Sequence, residues 1–169
     1  TLRSTAGTSG LMSELIDISV ALDEKLPVWP GSPGFELQPL QERKNGAGAR
    51  VSGLKCDVHT GTHIDAPFHF IPDGATVEQI SLEATVGRAA VVRIPDSITN
   101  ITANTLDELG LPKGVTRVLF RTKNSDFWAE HGSVFQPEYA ALSPGAAKWI
   151  VEHDIRCVGV DYLSVQNYE

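Results

Sequence analysis

The chain has 169 residues, 41% hydrophobic and 21% charged, which suits one globular domain with a buried core and excludes whole-chain disorder. Lys plus Arg total 14 against 21 Asp plus Glu, and a net charge of −7 gives no electrostatic support to nucleic-acid or membrane partners. No apolar run approaches the roughly 18 residues of a membrane span, TLRSTAGTSG at the start lacks the apolar centre of a secretory signal, and Cys56 and Cys157 form neither a disulfide framework nor a CxxC pair. A reducing, cytoplasmic setting is the expectation.

Residues 1–10 read as a flexible tail and 11–169 as a single domain. LIDISVAL (15–22) has the β-branched content of a strand. LPVWPGSPG then places three prolines and two glycines in nine residues, which demands a loop. FELQPLQE and ARVSGLKCDVH flank the turn signal Asn45-Gly46 and read as a hairpin, with Leu54, Cys56 and Val58 on a buried face. RAAVVRI (88–94) and RVLFRT (117–122) read as short buried strands. Between them TANTLDELG predicts a helix ended by Gly110 and Pro112. SPGAAKWIVEHD predicts another helix, with Ser143 as N-cap and Pro144 at its first position. Ala147, Ile150 and Val151 make its apolar face, with Trp149 at the edge. It leads into the buried strand of IRCVGVDYLSV. Strand, helix and strand in succession argue an α/β fold preceded by a hairpin-rich β region.

The densest chemistry lies in HTGTHIDAPFHF, residues 59–70, where His59, His63, Asp65 and His69 fall at offsets of 0, 4, 6 and 10. A helix is a poor host, because Thr60 and Gly61 have low helix propensity and Pro67 forbids continuation. A strand-to-loop crossing that turns at Gly61 lets His59 and His63 converge, with Asp65 facing the same way. Two imidazoles and a carboxylate suit Zn²⁺ and also Mn²⁺, and three protein ligands leave coordination positions open for water or substrate. His131 and His153 read as a polar-loop residue and a helix C-terminal residue. Ser164 and Asp161 fall where a Ser-His-Asp site is conceivable, but the chain has no GxSxG elbow. Cys56 sits in strand interior, where thiols are inert.

HTGTHIDAPFH resembles the HxGTHxDxPxH signature of the cyclase-type metal-dependent hydrolases, a family that includes bacterial kynurenine formamidase and isatin hydrolase. LPVWPGSPGF resembles that family's Trp-Pro-Gly substrate loop, and LFRTKNSDFW and GVDYLSV resemble later landmarks. The resemblance implies a swivelling β/β/α cyclase-like fold with a hairpin-rich mixed sheet, in a homodimer or homotetramer. It implies that His59, His63 and Asp65 are metal ligands, for one or two ions with Asp65 able to bridge two. It further implies that His69 transfers protons and that Trp29 contacts substrate. The activity implied is hydrolysis of an amide C–N bond in a small aromatic or cyclic molecule, as in arylformamidase or isatin hydrolase. The alternative is a metal- or ligand-binding module without turnover. Members of that family continue into a His-containing segment and a strand ending in Glu-Gly-Leu that complete the metal site. The expectation is therefore that this chain lacks its C-terminal part.

Overall fold

The computed structural model describes residues 15–43, 48–130 and 132–168. The tail at 1–10, the Asn45-Gly46 turn and His131 lie outside the described residues.

The expected hairpin forms. Strand β1 (Glu36–Gln41) pairs antiparallel with β2 (Val51–Lys55), opposing Leu37 to Leu54, and the register shifts between Pro39 and Gln41. Pro39 cannot donate to a ladder, and an irregularity beside it is where such a residue is tolerated. The face expected to be buried is open: Leu54 is 60% exposed, Val58 84%, and Cys56 is exposed as well. Two physical reasons apply. No second layer covers the hairpin among the described residues, and β2 ends at Lys55, so the strand alternation stops before Cys56 and Val58. Residues 15–22 have no regular secondary structure and join no ladder. β-branched content favours a strand only where an edge is offered for pairing. This stretch is tied instead to the histidine segment, through the Val20 amide donating to Thr62 Oγ1 at 3.0 Å.

The second half is α/β, as expected. Strands β3 (Ala90–Arg93), β5 (Arg117–Arg121) and β7 (Cys157–Val160) form a parallel sheet in the order β3-β5-β7. The short strands β4 (Asn100–Ile101) and β6 (Ala141–Leu142) pair parallel beside it. The hairpin is a separate two-stranded sheet, which corrects the expectation of one hairpin-rich mixed sheet. Helix α2 (Ala103–Leu109) starts at Thr102, whose hydroxyl accepts from the Thr105 amide, and stops at Gly110 with φ +62°. A left-handed residue at that position is what glycine supplies without a Cβ clash. Helix α4 (Pro144–Glu152) starts at Ser143, whose Oγ accepts from the Ala146 amide at 3.1 Å. Its buried face is Ala146 and Ile150, whereas Ala147 is exposed and Val151 is 77% exposed. Ile150 is thus buried as expected, while the rest of the expected face is exposed and Ala146 takes its place. The short helices α1 (Leu82–Thr85) and α3 (Asn124–Glu130) have too few residues to show a periodicity.

The main core joins the parallel sheet to α2 and α4 through Ile94, Ile101, Leu106, Val118, Phe120 and Ile150. A second cluster of Tyr139, Ala141 and Tyr162 carries Phe127, Trp128 and Phe135 around it. Asn124 is fully buried between them and mimics a strand partner for Ala140, donating to its carbonyl at 2.9 Å and accepting from its amide at 2.7 Å. Asp161, just beyond β7, accepts from the Thr122 amide and from the Thr122 and Ser125 hydroxyls at 2.6–2.9 Å. It thereby pins the carboxyl end of β7 to that of β5. The segment that follows is held along β6, with the Leu142 amide donating to the Val165 carbonyl at 2.8 Å. That path delivers Leu163, Ser164 and Gln166 to the site. No helix among the described residues is long and apolar enough to cross a membrane.

Candidate metal centre

Gly61 adopts φ +74°, the sharp turn anticipated between the first two histidines. Beyond it, Pro67–His69 forms a single 3₁₀ turn that starts at proline, whose missing N–H costs nothing there. These local choices bring the ligand atoms together. His59 Nδ1 lies 3.3 Å from His63 Nε2 and 2.8 Å from Asp65 Oδ1, and His63 Nε2 lies 3.3 Å from the same carboxylate oxygen. A tetrahedral shell with ligand bonds of about 2.0–2.1 Å separates its ligand atoms by about 3.3 Å. The donor set therefore fits a divalent cation in chemistry, and two of its three separations match that spacing, while His59 and Asp65 stand at hydrogen-bond distance.

His63 Nδ1 donates to the Gly61 carbonyl at 2.8 Å, which assigns the proton to that nitrogen and leaves the Nε2 lone pair facing the cluster. His69 also comes close. Its ring sits 4.0 Å from that of His59, and His59, Asp65 and His69 each offer a ligand atom within 4.8 Å of the others. Two triads therefore share His59 and Asp65, and the one containing His63 is tighter.

The cluster opens into a cavity of about 460 Å³, the size of a small-molecule pocket. His59, Asp65 and His69 line it, together with Trp29 and with Ser164 and Gln166 from beyond β7. Trp29 is 39% exposed and braced edge-on by Phe135 at 5.4 Å and Tyr168 at 5.2 Å, so it forms cavity wall and not core. Ser164 reaches the cavity as weighed above, whereas Asp161 does not line it and is spent on the β5–β7 staple. His153 caps α4, with Nδ1 donating to the Trp149 carbonyl at 2.7 Å, as its sequence position suggested.

Asp57 escaped the sequence reading, which placed it in the alternation of β2. Its carboxylate accepts from the His59 amide at 2.8 Å, from the Thr60 hydroxyl at 3.3 Å and from the Ser32 hydroxyl. The Ser32 hydrogen bond holds this carboxyl below the usual range, opposed by partial burial and aided by His59 and Thr60. An aspartate two residues before a turn is an ordinary Asx-turn signal. Its second contact, across 25 residues to Ser32, has no sequence signal.

Residues 16–167 match the Cyclase family profile, described as "Putative cyclase". Cyclase-like protein 1 of Arabidopsis thaliana is 37% identical over 164 residues, covering 92% of this chain and 64% of that protein. Kynurenine formamidase of Geobacillus thermodenitrificans is 33% identical over 155 residues, covering 92% of this chain and 71% of that enzyme. A solved structure of a potential metal-dependent hydrolase with cyclase activity superposes at a TM-score of 0.73 with 30% identity, covering 91% of this chain and 70% of that one. The chain thus spans under two thirds of the length of the plant relative.

Proposed function

The chain belongs to the Cyclase family, and from that premise we propose that it is a metal-dependent amidohydrolase cleaving a C–N bond in a small aromatic or cyclic substrate. The observation that carries this reading is the convergence of His59 Nδ1, His63 Nε2 and Asp65 Oδ1 beside a cavity lined by His59, Asp65, His69 and Trp29. The kynurenine formamidase relative, an amide hydrolase, supports the reaction class. His59, His63 and Asp65 hold one or two divalent ions, zinc or manganese. Bound there, such an ion supplies acidified water and a polarised carbonyl.

The remaining chemistry falls to the chain itself. The Gly61 carbonyl accepts from His63 Nδ1 and so turns the Nε2 edge of the ring toward the cluster. His69 lines the cavity, and in this reading its ring nitrogen takes a proton from the attacking water. It then returns that proton to the departing nitrogen as the C–N bond breaks, a pair of roles imidazole fills near neutral pH. Trp29 offers a flat apolar wall for an aryl ring. The swivelling β/β/α arrangement and a homodimer or homotetramer belong to the same proposal. Exposed apolar side chains such as Leu37, Leu40 and Leu54 on the hairpin support assembly.

The test is turnover of N-formylkynurenine and isatin by metal-stripped protein, with and without added Zn²⁺ or Mn²⁺. Hydrolysis that appears with metal and vanishes on chelation is expected. Metal binding without turnover of either amide would instead make the chain a binding module.

A further inference from the structure

Trp29, Pro30, Gly31 and Ser32 form a tight turn in which the Ser32 amide donates to the Trp29 carbonyl at 2.9 Å and Gly31 takes φ +90°. Proline at the second position and a left-handed glycine at the third are the residues a type II turn requires. Ser32 is therefore the rigid far end of the element that presents Trp29. Its hydroxyl donates to Asp57 Oδ2, while Asp57 Oδ1 receives the His59 amide and the Thr60 hydroxyl. One carboxylate thus grips the cavity wall with one oxygen and the histidine segment with the other. All four of Ser32, Asp57, His59 and Thr60 line the cavity.

We infer that Asp57 is a positioning residue that couples the Trp29 turn to the histidine segment, so that ordering the metal ligands also sets the substrate wall. A shift of His59 is transmitted through its own amide to Asp57, and from there to Ser32 and the turn. Neither Asp57 nor Ser32 touches the reacting atoms in this scheme; their role is exercised through Trp29 and His59. The inference draws on the metal reading above only for its zinc arm.

Hydrogen exchange at the Ser32 amide reads the coupling without reference to activity. In metal-free protein, Asp57→Ala is expected to speed exchange at Ser32 by about tenfold or more, the worth of a hydrogen bond to a charged group. Asp57→Asn keeps an acceptor for His59 and gains a donor for the Ser32 hydroxyl, so it restores most of the protection. Added zinc is expected to slow exchange across 57–65 and also at Ser32 in the wild type. In Asp57→Ala, and in Ser32→Ala at the same turn, zinc should protect 57–65 alone. Unchanged Ser32 exchange in metal-free Asp57→Ala would overturn the inference. So would a rise shared equally by β5 and α4, which marks general loosening. If zinc protects neither segment of the wild type, the metal reading fails, and the metal-free comparison still decides the coupling.

Discussion

His69 and Gly61 show how much of the site hangs on single residues. If His69 moves protons without being a required ligand, His69→Gln keeps the metal and loses on the order of 10²–10⁴ in kcat. Joint loss of metal and turnover would make the looser triad of His59, Asp65 and His69 the working one. Gly61→Ala is expected to cost about 1–2 kcal/mol, since a Cβ at φ +74° is strained and would also strike the Leu22 side chain. Zinc affinity should fall with it, because the turn sets the approach of His63 to His59. Calorimetric zinc titration of the variant checks both points, and wild-type affinity in a destabilised protein would separate the turn from the site. His59, His63, Asp65 and His69 were legible in the sequence because all four lie within eleven residues, where turn chemistry governs the geometry. The Asp57–Ser32 link was not, because nothing local distinguishes an aspartate whose second oxygen is claimed from 25 residues away.

At the scale of elements, local signals predicted the helices better than their faces. Ser143, Pro144 and Gly110 hold the capping positions assigned from sequence, because capping is decided by the chain's own neighbouring backbone. The face of α4 is decided by what it packs on, and beside the expected Ile150 packing chose Ala146 over Ala147 and Val151. Residues 15–22 failed as a strand for the same reason, since pairing needs a neighbour that composition cannot name. Ser143→Ala should destabilise the protein by about 0.5–2 kcal/mol, with zinc affinity unchanged, because Ser143 caps a helix that packs on α2 and β6 and none of whose residues lines the cavity. A larger loss, or a change in metal binding measured alongside thermal unfolding, would mean that α4 supports the site directly. The break-even comparison is Asn124→Ala, which unpairs two buried backbone groups of Ala140 and should cost about 2–4 kcal/mol.

Across the whole molecule, the buried clusters and the site fall in different parts of the chain. The core residues run from Ile94 onward, whereas the proposed site residues of the histidine segment lie between 59 and 69 on lightly covered backbone. Stability is therefore expected to respond to the second half. Burial pushes the Tyr139 and Tyr162 hydroxyls above the ordinary phenol range. The folded state keeps their protons longer than the unfolded state does, so their contribution is intact below about pH 10 and falls as pH rises further. Thermal midpoints recorded upward from neutral pH should stay level and then drop in step with the phenolate absorbance of these tyrosines. Their ionisation at ordinary pH without loss of stability would contradict the burial seen here.

The site proposed above has His59, His63 and Asp65 holding a divalent cation. Its most direct test is elemental analysis of the purified protein beside His63→Ala, after both are equilibrated with the same zinc and freed of excess. The account predicts bound zinc in the wild type and little or none in His63→Ala, because the variant leaves only one imidazole in the tight triad. Wild-type zinc content in His63→Ala would contradict it.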